Sequence, residues 1–334
     1  MCFVPAVFEI TGMLILAPNL LGISLLDAAI MGTVVAAVSP AVIVPRMLKL
    51  MENGYGRNKS IPQMIMAGAS VDDVFVIVLF TAFAGLAQSG SITTGHLLTI
   101  PSSIIFGLGG GVVAGLVLSS LFTKFHIRDT GKVLIILSVS FLLVTLEQSL
   151  NGMVGFSGLL AVMALGASVQ QKKYEVSKRL SVKFSKLWVA AELLLFVLVG
   201  ATVDLNYAID AGLVSILLIV GVILFRLVGV YVSLIRTDLN VKERLFSGFA
   251  YMPKATVQAA IGGLPLAMGL ASGEIILTVA VVSIIMTAPI GALLIDRSYN
   301  KLLTREEKPI TEFSQEQTNG ALRAVSVSSN RDFE

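Results

Sequence analysis

Two adjacent acidic residues, Asp72 and Asp73, interrupt an otherwise apolar run of the sequence. The run, residues 62–88, is long enough as a helix to cross a hydrocarbon layer of about 30 Å, and the pair falls near its middle. Each aspartate at the centre of a bilayer costs about 2.5 to 3.5 kcal/mol on insertion scales. The pair therefore predicts a place where a membrane protein holds water or an ion, the alternative being a structural polar contact between helices.

The composition indicates a polytopic membrane protein that is entirely helical. Hydrophobic residues make up 55% of the 334 positions and charged residues 13%, more apolar surface than a soluble domain of this length needs for its core. The single cysteine, Cys2, excludes an internal disulfide. The net charge of +3 is too small to suggest nucleic acid as a partner. We expect membrane lipid and small cations as partners instead.

The positions of the basic residues predict how the chain crosses the membrane. Every Lys and Arg except Arg226 and Lys254 lies in or beside the connection after an even-numbered apolar segment, or in the tail. By the positive-inside rule these connections are cytoplasmic, which predicts a multi-pass protein of the cell membrane with a cytoplasmic C-terminal tail. About ten transmembrane segments are predicted, at residues 2–17, 23–51, 62–88, 97–122, 132–150, 154–171, 184–203, 209–235, 242–270 and 274–295.

Both ends of the chain carry expectations of their own. The first apolar segment starts almost at Met1, without a preceding basic region or a small-residue cleavage site, so it does not resemble a signal peptide. We therefore expect the chain to be N-terminally incomplete. Residues 1–295 are predicted to form the transmembrane transporter domain. Residues 296–334 are rich in Ser, Glu, Gln and Asn and are predicted to be a disordered cytoplasmic tail.

Prolines interrupt two segments at matching positions. The second segment contains Pro40 and Pro45, and the ninth contains Pro253 followed by Gly262 and Gly263. Proline removes a backbone donor and clashes with the preceding turn, so both segments should unwind. Proline and glycine are also ordinary in membrane helices. Here, however, each interrupted segment is the middle member of a triplet, and the loop charges make the two triplets run in opposite directions.

This arrangement predicts an inverted repeat with a broken helix in the middle of each triplet, as many transporters have. The first core repeat spans about residues 1–88 and the second about 209–295. Residues of about 97–203 form the connecting helices.

Three further ionisable residues lie inside predicted segments. Glu9 and Arg226 occupy equivalent members of the two triplets, and Arg226 needs a carboxylate partner because its guanidinium does not lose its proton. Glu9 is the expected partner. Lys254 lies at the break of the ninth segment, where the carbonyl ends of half-helices carry partial negative charge that an ammonium group would offset.

These motifs together resemble the monovalent cation:proton antiporter family, in its Na+/H+ antiporter branch with a membrane Asp-Asp pair. The resemblance is carried by Val38–Pro45, by the pair Asp72 and Asp73, by Leu224–Arg226 and by Pro253–Ile261, and it covers about residues 3–295. It implies an inverted-repeat antiporter fold in which the two broken helices cross at mid-membrane. It also implies a mobile core domain that moves against a dimerisation domain, with the helices of about 97–203 on the dimer side, and a homodimer. Family members carry a dozen or more helices, and the missing ones would precede Met1.

The resemblance implies that Asp73 is the main ion-binding carboxylate and Asp72 its partner. Neighbouring side chains on a helix point about 100° apart, so we expect one carboxylate to face a cavity and the other a neighbouring helix. A carboxylate in such a site can hold either a proton or a small hard cation. Ser39, at the Pro40 break, and Ser70 are candidate additional ligands, together with the carbonyl oxygen of Val38.

Competition between a proton and Na+, Li+ or K+ at this site, followed by alternating access, is secondary active antiport. No cofactor and no enzymatic reaction are predicted. Because Arg226 cannot supply a second proton, we expect one cation to be exchanged for one proton. The alternative is that both aspartates load protons, which would give two protons per cation. The alternatives are a cation channel, an ion-coupled solute symporter of related fold and an inactive truncated fragment. An intramembrane aspartyl protease needs two aspartates on separate helices, which the adjacent pair does not provide.

Overall fold

The computed structural model describes residues 1–89, 94–125, 127–150, 156–202 and 212–306. These residues are helical apart from short connections, and an isolated bridge between Tyr55 and Arg305 is their one β-type pairing. The helices are α1 Val4–Leu21, α2 Leu25–Ala36, α3 Pro40–Glu52, α4 Ile61–Ser89, α5 Thr94–Lys124, α6 Asp129–Ser149, α7 Gly158–Lys172, α8 Tyr174–Thr202, α9 Gly212–Ser233, α10 Val241–Ala250, α11 Thr256–Ile261, α12 Leu264–Ala267 and α13 Gly273–Leu302.

Every predicted segment corresponds to one or more of these helices. Seven spans among the described residues are long and apolar enough to cross a membrane: α1, α2 with α3, α4, most of α5, α6, α9 and α13. The remaining segments are the 15-residue α7, the helix α8 and the divided run α10–α12. Helix α8 starts ten residues before the predicted segment, because the basic stretch that precedes it consists largely of good helix formers.

Both predicted breaks are present, and they meet. Helix α2 ends at Ala36 and α3 begins at Pro40, while α10 ends at Ala250 and α11 begins at Thr256. The backbone N–H of Ser39 in the first break donates to the carbonyl of Pro253 in the second, at 2.9 Å. Each break thus satisfies part of the backbone hydrogen bonding that the other has lost.

Two apolar cores hold the broken helices in place. One is formed by buried residues of α1, α2, α4, α9, α11 and α13, and the other by residues of α3, α4, α10 and α13. Close contact between α1 and α9 depends on glycine, since a Cβ at Gly229 would come within 2.8 Å of the Pro5 Cα. Helices α5 and α7 approach in the same way at Gly111 and Gly115, as small residues allow in membrane helix pairs.

The end of α13 differs from the expected start of the tail at residue 296. The helix continues to Leu302, and the following residues pair with the loop after α3: Gly56 N–H donates to the Thr304 carbonyl and Glu306 N–H to the Gly54 carbonyl, both at 2.9 Å. Gly54 and Gly56 have φ values of +80° and +65°, which favour glycine. We call this pairing of residues 53–58 with 303–306 the clasp. Residues 307–334 lie outside the described part of the chain.

Candidate ion-binding site

The two adjacent aspartates of α4 have different surroundings. Asp72 is fully buried, and its Oδ2 accepts hydrogen bonds from the Val38 N–H at 3.2 Å and from Arg226 Nη2 at 2.9 Å. Asp73 is partly exposed and lines a cavity, and its buried Oδ1 has no hydrogen-bond partner in the described ranges. As expected, one carboxylate contacts neighbouring segments and the other faces a cavity.

Arg226 of α9 connects four other elements from a fully buried position. Its Nη1 donates to Glu9 Oε2 of α1 at 2.6 Å and also to the carbonyl of Ala36, the last residue of α2. Its Nη2 donates to Asp72 of α4, and its Nε donates to the Tyr251 carbonyl in the second break at 2.6 Å. The predicted ion pair between Arg226 and Glu9 is confirmed, and Asp72 is a second partner that was not predicted.

Lys254 is also fully buried and joins the same group. Its Nζ donates to Glu9 Oε2 at 2.7 Å and lies 3.4 Å from the Ala36 carbonyl. The predicted contact with a carbonyl at the end of a half-helix is therefore present, but the shorter bond goes to Glu9. The backbone N–H of Lys254 donates to Thr287 Oγ1 of α13 at 2.9 Å, which fixes the second break against α13.

The ion pairs of the buried group are balanced in formal charge. Glu9 and Asp72 carry two negative charges, and Arg226 and Lys254 carry two positive charges. Asp73 forms no ion pair within the described residues. The site thus contains one carboxylate outside a neutral, mutually paired cluster, and it is the carboxylate that faces the cavity.

A fully buried glutamine, Gln258 of α11, completes the crossing. Its Nε2 donates to the Val35 carbonyl at 3.0 Å and to the Ala37 carbonyl at 2.7 Å. Sequence reasoning missed this residue. An amide side chain within an apolar segment, four residues after Lys254, is the signal that could have identified it.

The cavity beside Asp73 has a volume of about 700 Å³ and lies between both broken helices and α8. Its walls are mostly apolar, and among the lining residues Asp73 alone carries a charge. The other lining residues are Pro40, Ala41, Val44 and Pro45 of α3, Ser185 and Trp188 of α8, and Thr256, Val257 and Ala260 of α11.

The candidate additional ligands separate into two groups. Ser39 is fully buried at the first break, and its hydroxyl has no partner in the part of the chain that the structure describes; Pro40 follows it and lines the cavity. Ser70 is exposed, does not line the cavity, and donates to the Met66 carbonyl of its own helix at 3.0 Å. The structure therefore brings Ser39 and Pro40, but not Ser70, to the site.

Known proteins resemble this chain over most of its length. The family model described as "Sodium/hydrogen exchanger, transmembrane" matches residues 2–297. Sodium/hydrogen exchanger 9B2 of Mus musculus is 34% identical over 336 aligned residues, which cover 96% of this chain and 60% of the relative. Sodium/hydrogen exchanger 9B1 of Homo sapiens is 32% identical, with 84% of this chain and 56% of the relative covered. The chain thus spans about 60% of the length of the relatives that it matches.

A solved structure has the same fold. The sodium proton antiporter MjNhaP1 from Methanocaldococcus jannaschii superimposes with a TM-score of 0.72 at 19% sequence identity, over 90% of this chain and 77% of that one. The predicted helical antiporter fold is confirmed by this similarity. The chain is a multi-pass membrane protein, and the relatives that it matches are named as exchangers. Together with the matched model and relatives, the fold and the buried charges establish that the chain belongs to the sodium/hydrogen exchanger family.

Proposed function

We propose that the chain contains the ion-binding site of a secondary antiporter that exchanges Na+ or Li+ for protons at Asp73. The observation that carries this proposal is the position of Asp73. It is the one charged residue of the cavity wall, and one of its carboxylate oxygens is buried without a hydrogen-bond partner in the described residues. A buried carboxylate oxygen without a donor favours a bound proton or a bound cation over an empty charged state.

The charge balance supports competition between one proton and one cation. Glu9, Asp72, Arg226 and Lys254 already neutralise one another, so Asp73 adds one negative charge to the site. Either a proton or a monovalent cation neutralises that charge, and loading both would leave a buried positive excess. The exchange is therefore electroneutral, with one cation for one proton. K+ fits the same oxygen ligands, and selection among the three cations depends on ligand spacing.

The cation ligands are oxygen atoms of α4 and of the first break. Asp73 provides the carboxylate, Asp72 stabilises the site from its ion pair, and Ser39 has a buried hydroxyl without a partner in the described residues. Pro40 keeps this part of the backbone non-helical. The Val38 carbonyl therefore does not accept a hydrogen bond within a helix. Small hard cations prefer such oxygen ligands.

Transport by alternating access requires the crossed helices to move against the helices that close the cavity. Ser185 and Trp188 of α8 form the wall opposite α3 and α11, so this surface is where the opening would change. We place α5–α8 on the side of a homodimer interface, the protein in the cell membrane, and the tail beyond Glu306 in the cytoplasm.

The test is Na+-driven proton movement in proteoliposomes that carry the purified chain. Adding Na+ or Li+ outside acid-loaded vesicles should dissipate the pH gradient, and the Asp73→Asn variant should not respond. Thr81→Val is the matched control, because Thr81 lies on the same helix and donates only to the Ile77 carbonyl. Full activity in Asp73→Asn would overturn the proposed site. A folded chain without any response would favour the interpretation as an inactive fragment.

An ion-coupled solute symporter is the second candidate, and one observation favours it. The cavity of about 700 Å³ is much larger than a dehydrated cation and has room for many waters or an organic solute. A counterflow assay separates the two functions, because an antiporter exchanges labelled Na+ for internal Na+ or protons without any added solute. A channel would dissipate the gradient without obligatory exchange.

A further inference from the structure

Gln258 points away from the cavity that its own helix lines. Thr256, Val257 and Ala260 of α11 face the cavity, whereas the side chain of Gln258 is fully buried against the end of α2. Its Nε2 donates to the carbonyl of Val35 in the last turn of α2 and to the carbonyl of Ala37 in the first break. Since both neighbours are acceptors, the amide must present its NH2 group to them, and its oxygen lies on the other side.

The end of α2 is capped by side chains of the second repeat. The last carbonyls of a helix have no partner within the helix and need donors from elsewhere. The Ala36 carbonyl accepts from Arg226 and from Lys254, and the carbonyls on either side of it accept from Gln258. Gln258 is thus the neutral member of the three capping residues.

One of these bonds fixes a peptide unit that also binds an aspartate of the site. The Ala37 carbonyl and the Val38 N–H belong to the same planar peptide group. Gln258 holds the carbonyl end of this group at 2.7 Å, and Asp72 Oδ2 holds its N–H end at 3.2 Å. Rotation of the group would therefore break both bonds at once, and Asp72 would keep only Arg226 as its partner.

We propose that Gln258 is a positioning residue of the cation site. It fixes the 37–38 peptide group, through it the orientation of Asp72, and with Asp72 the turn of α4 that carries Asp73. We assign Gln258 no contact with the cation, because its amide NH2 group donates to the carbonyls of Val35 and Ala37. This inference rests on the proposed function for its cation readout, while its structural part can be measured separately.

Two variants and one control test the proposal. Gln258→Leu keeps a similar size but removes both donated bonds, and Gln258→Glu keeps the shape but cannot donate when it is ionised. Thr33→Val is the control, because Thr33 is equally buried in α2 and donates only to the Ile30 carbonyl of its own helix. All three are purified as the whole chain in detergent and in proteoliposomes.

The first readout is hydrogen exchange of the amides of Val38 and Ser39, measured by mass spectrometry. Gln258→Leu should accelerate exchange at these positions by about tenfold or more relative to Thr33→Val, as expected for the loss of two neutral hydrogen bonds. Exchange at the control rate would overturn the proposal. This readout needs no transport activity, so it decides the structural part even if the unchanged chain moves no ions.

The second readout is the Na+ concentration that gives half of the maximal proton flux. Gln258→Leu should raise this concentration by about tenfold with a smaller change in maximal rate, because the ligand geometry is lost and the route for the ion is kept. For Gln258→Glu the defect relative to the unchanged protein should shrink as the pH falls, since the protonated carboxyl group can donate to a carbonyl again. A merely structural residue would alter the amount of folded protein and leave half-saturation and pH profile as they are; that result would overturn the proposal.

Discussion

The two breaks have matching positions in their repeats but contribute different chemistry. The first break, residues 37–39, contains no charged side chain and offers backbone carbonyls and the Val38 N–H. The second break offers the side chain of Lys254 and is followed by Gln258; Lys254 donates to the last carbonyl of α2 and Gln258 to a carbonyl of the first break. The side-chain donors thus come from the second interrupted segment, while the backbone bond from Ser39 to Pro253 runs the other way. A substitution in either break should therefore also alter the structure of the other break.

The largest effect is expected at Asp73, the carboxylate that neither break neutralises. Asp73→Asn keeps the size of the side chain but removes the exchangeable charge, so Na+-dependent proton movement should fall to the background of empty vesicles. Its thermal stability should stay close to that of the unchanged protein, because no ion pair is lost in the described residues. Asp72→Asn should impair transport and also lower stability, since Arg226 loses a buried partner. Equal behaviour of the two variants would contradict this distinction.

The next effect concerns the charges that join α1, α4 and α9. Glu9→Gln or Arg226→Gln should each destabilise the protein by about 3 to 5 kcal/mol, because the partner is left as an uncompensated buried charge. The double variant should be less destabilised than the sum of the two singles. Thermal unfolding in detergent measures all three. Strictly additive values would show that the 2.6 Å contact between the two groups has no energetic coupling.

Features that follow from residue type within the membrane could be predicted from the sequence. Contacts that depend on the packing of distant helices could not. Pro40 and Pro253 located both breaks, because proline cannot continue a helix whatever surrounds it. Arg226 required a carboxylate and Glu9 was the expected one. That Asp72 is a second partner, 154 positions away along the chain, and that Lys254 binds Glu9 depend on how helices pack. Ser70 was a candidate ligand, but its side chain is exposed and donates to its own helix.

The clasp was missed for a related reason. The polar composition after residue 295 predicts a tail that cannot bury apolar surface, yet Leu303 is buried in the core beside α3. Pairing of residues 53–58 with 303–306 depends on two short segments that lie far apart in the sequence: Asn53 and Arg305 are 252 positions apart. Local composition carries no signal for such a contact.

A smaller effect is expected in the clasp itself, and it tests whether the two repeats are held together away from their breaks. A side chain at Gly54 would collide with the Glu306 carbonyl and adopt an unfavourable φ of +80°. Gly54→Ala should lower stability by about 1 to 3 kcal/mol, while Gly263→Ala, at a glycine with φ of −85° and open space around it, serves as the control. Thermal unfolding that is equal in the two variants would mean that the clasp contributes nothing measurable.

The smallest expected effect is that of membrane voltage. If one cation is exchanged for one proton at Asp73, the Na+ gradient that balances a given pH gradient should not shift when K+ and valinomycin impose different potentials. The Arg226→Lys variant tests the role of the arginine, because a buried lysine can release its proton whereas a guanidinium cannot. Voltage sensitivity in the unchanged protein would rule out the electroneutral scheme. Voltage sensitivity that is confined to Arg226→Lys would support it.

The clasp joins the two broken helices at a second place, away from their crossing, so that the contacts between them form a closed ring. Helix α3 leads from the first break to the clasp, and α13 leads from the clasp back to the second break, where Thr287 binds the backbone of Lys254. The ring is completed at the crossing by the hydrogen bond from the Ser39 N–H to the Pro253 carbonyl. We expect contacts at both ends to resist shear between the two broken helices, so that the proposed alternating access would move them as one unit. The ion site would then travel with unchanged ligand geometry, and only its surroundings would determine which side of the membrane it faces.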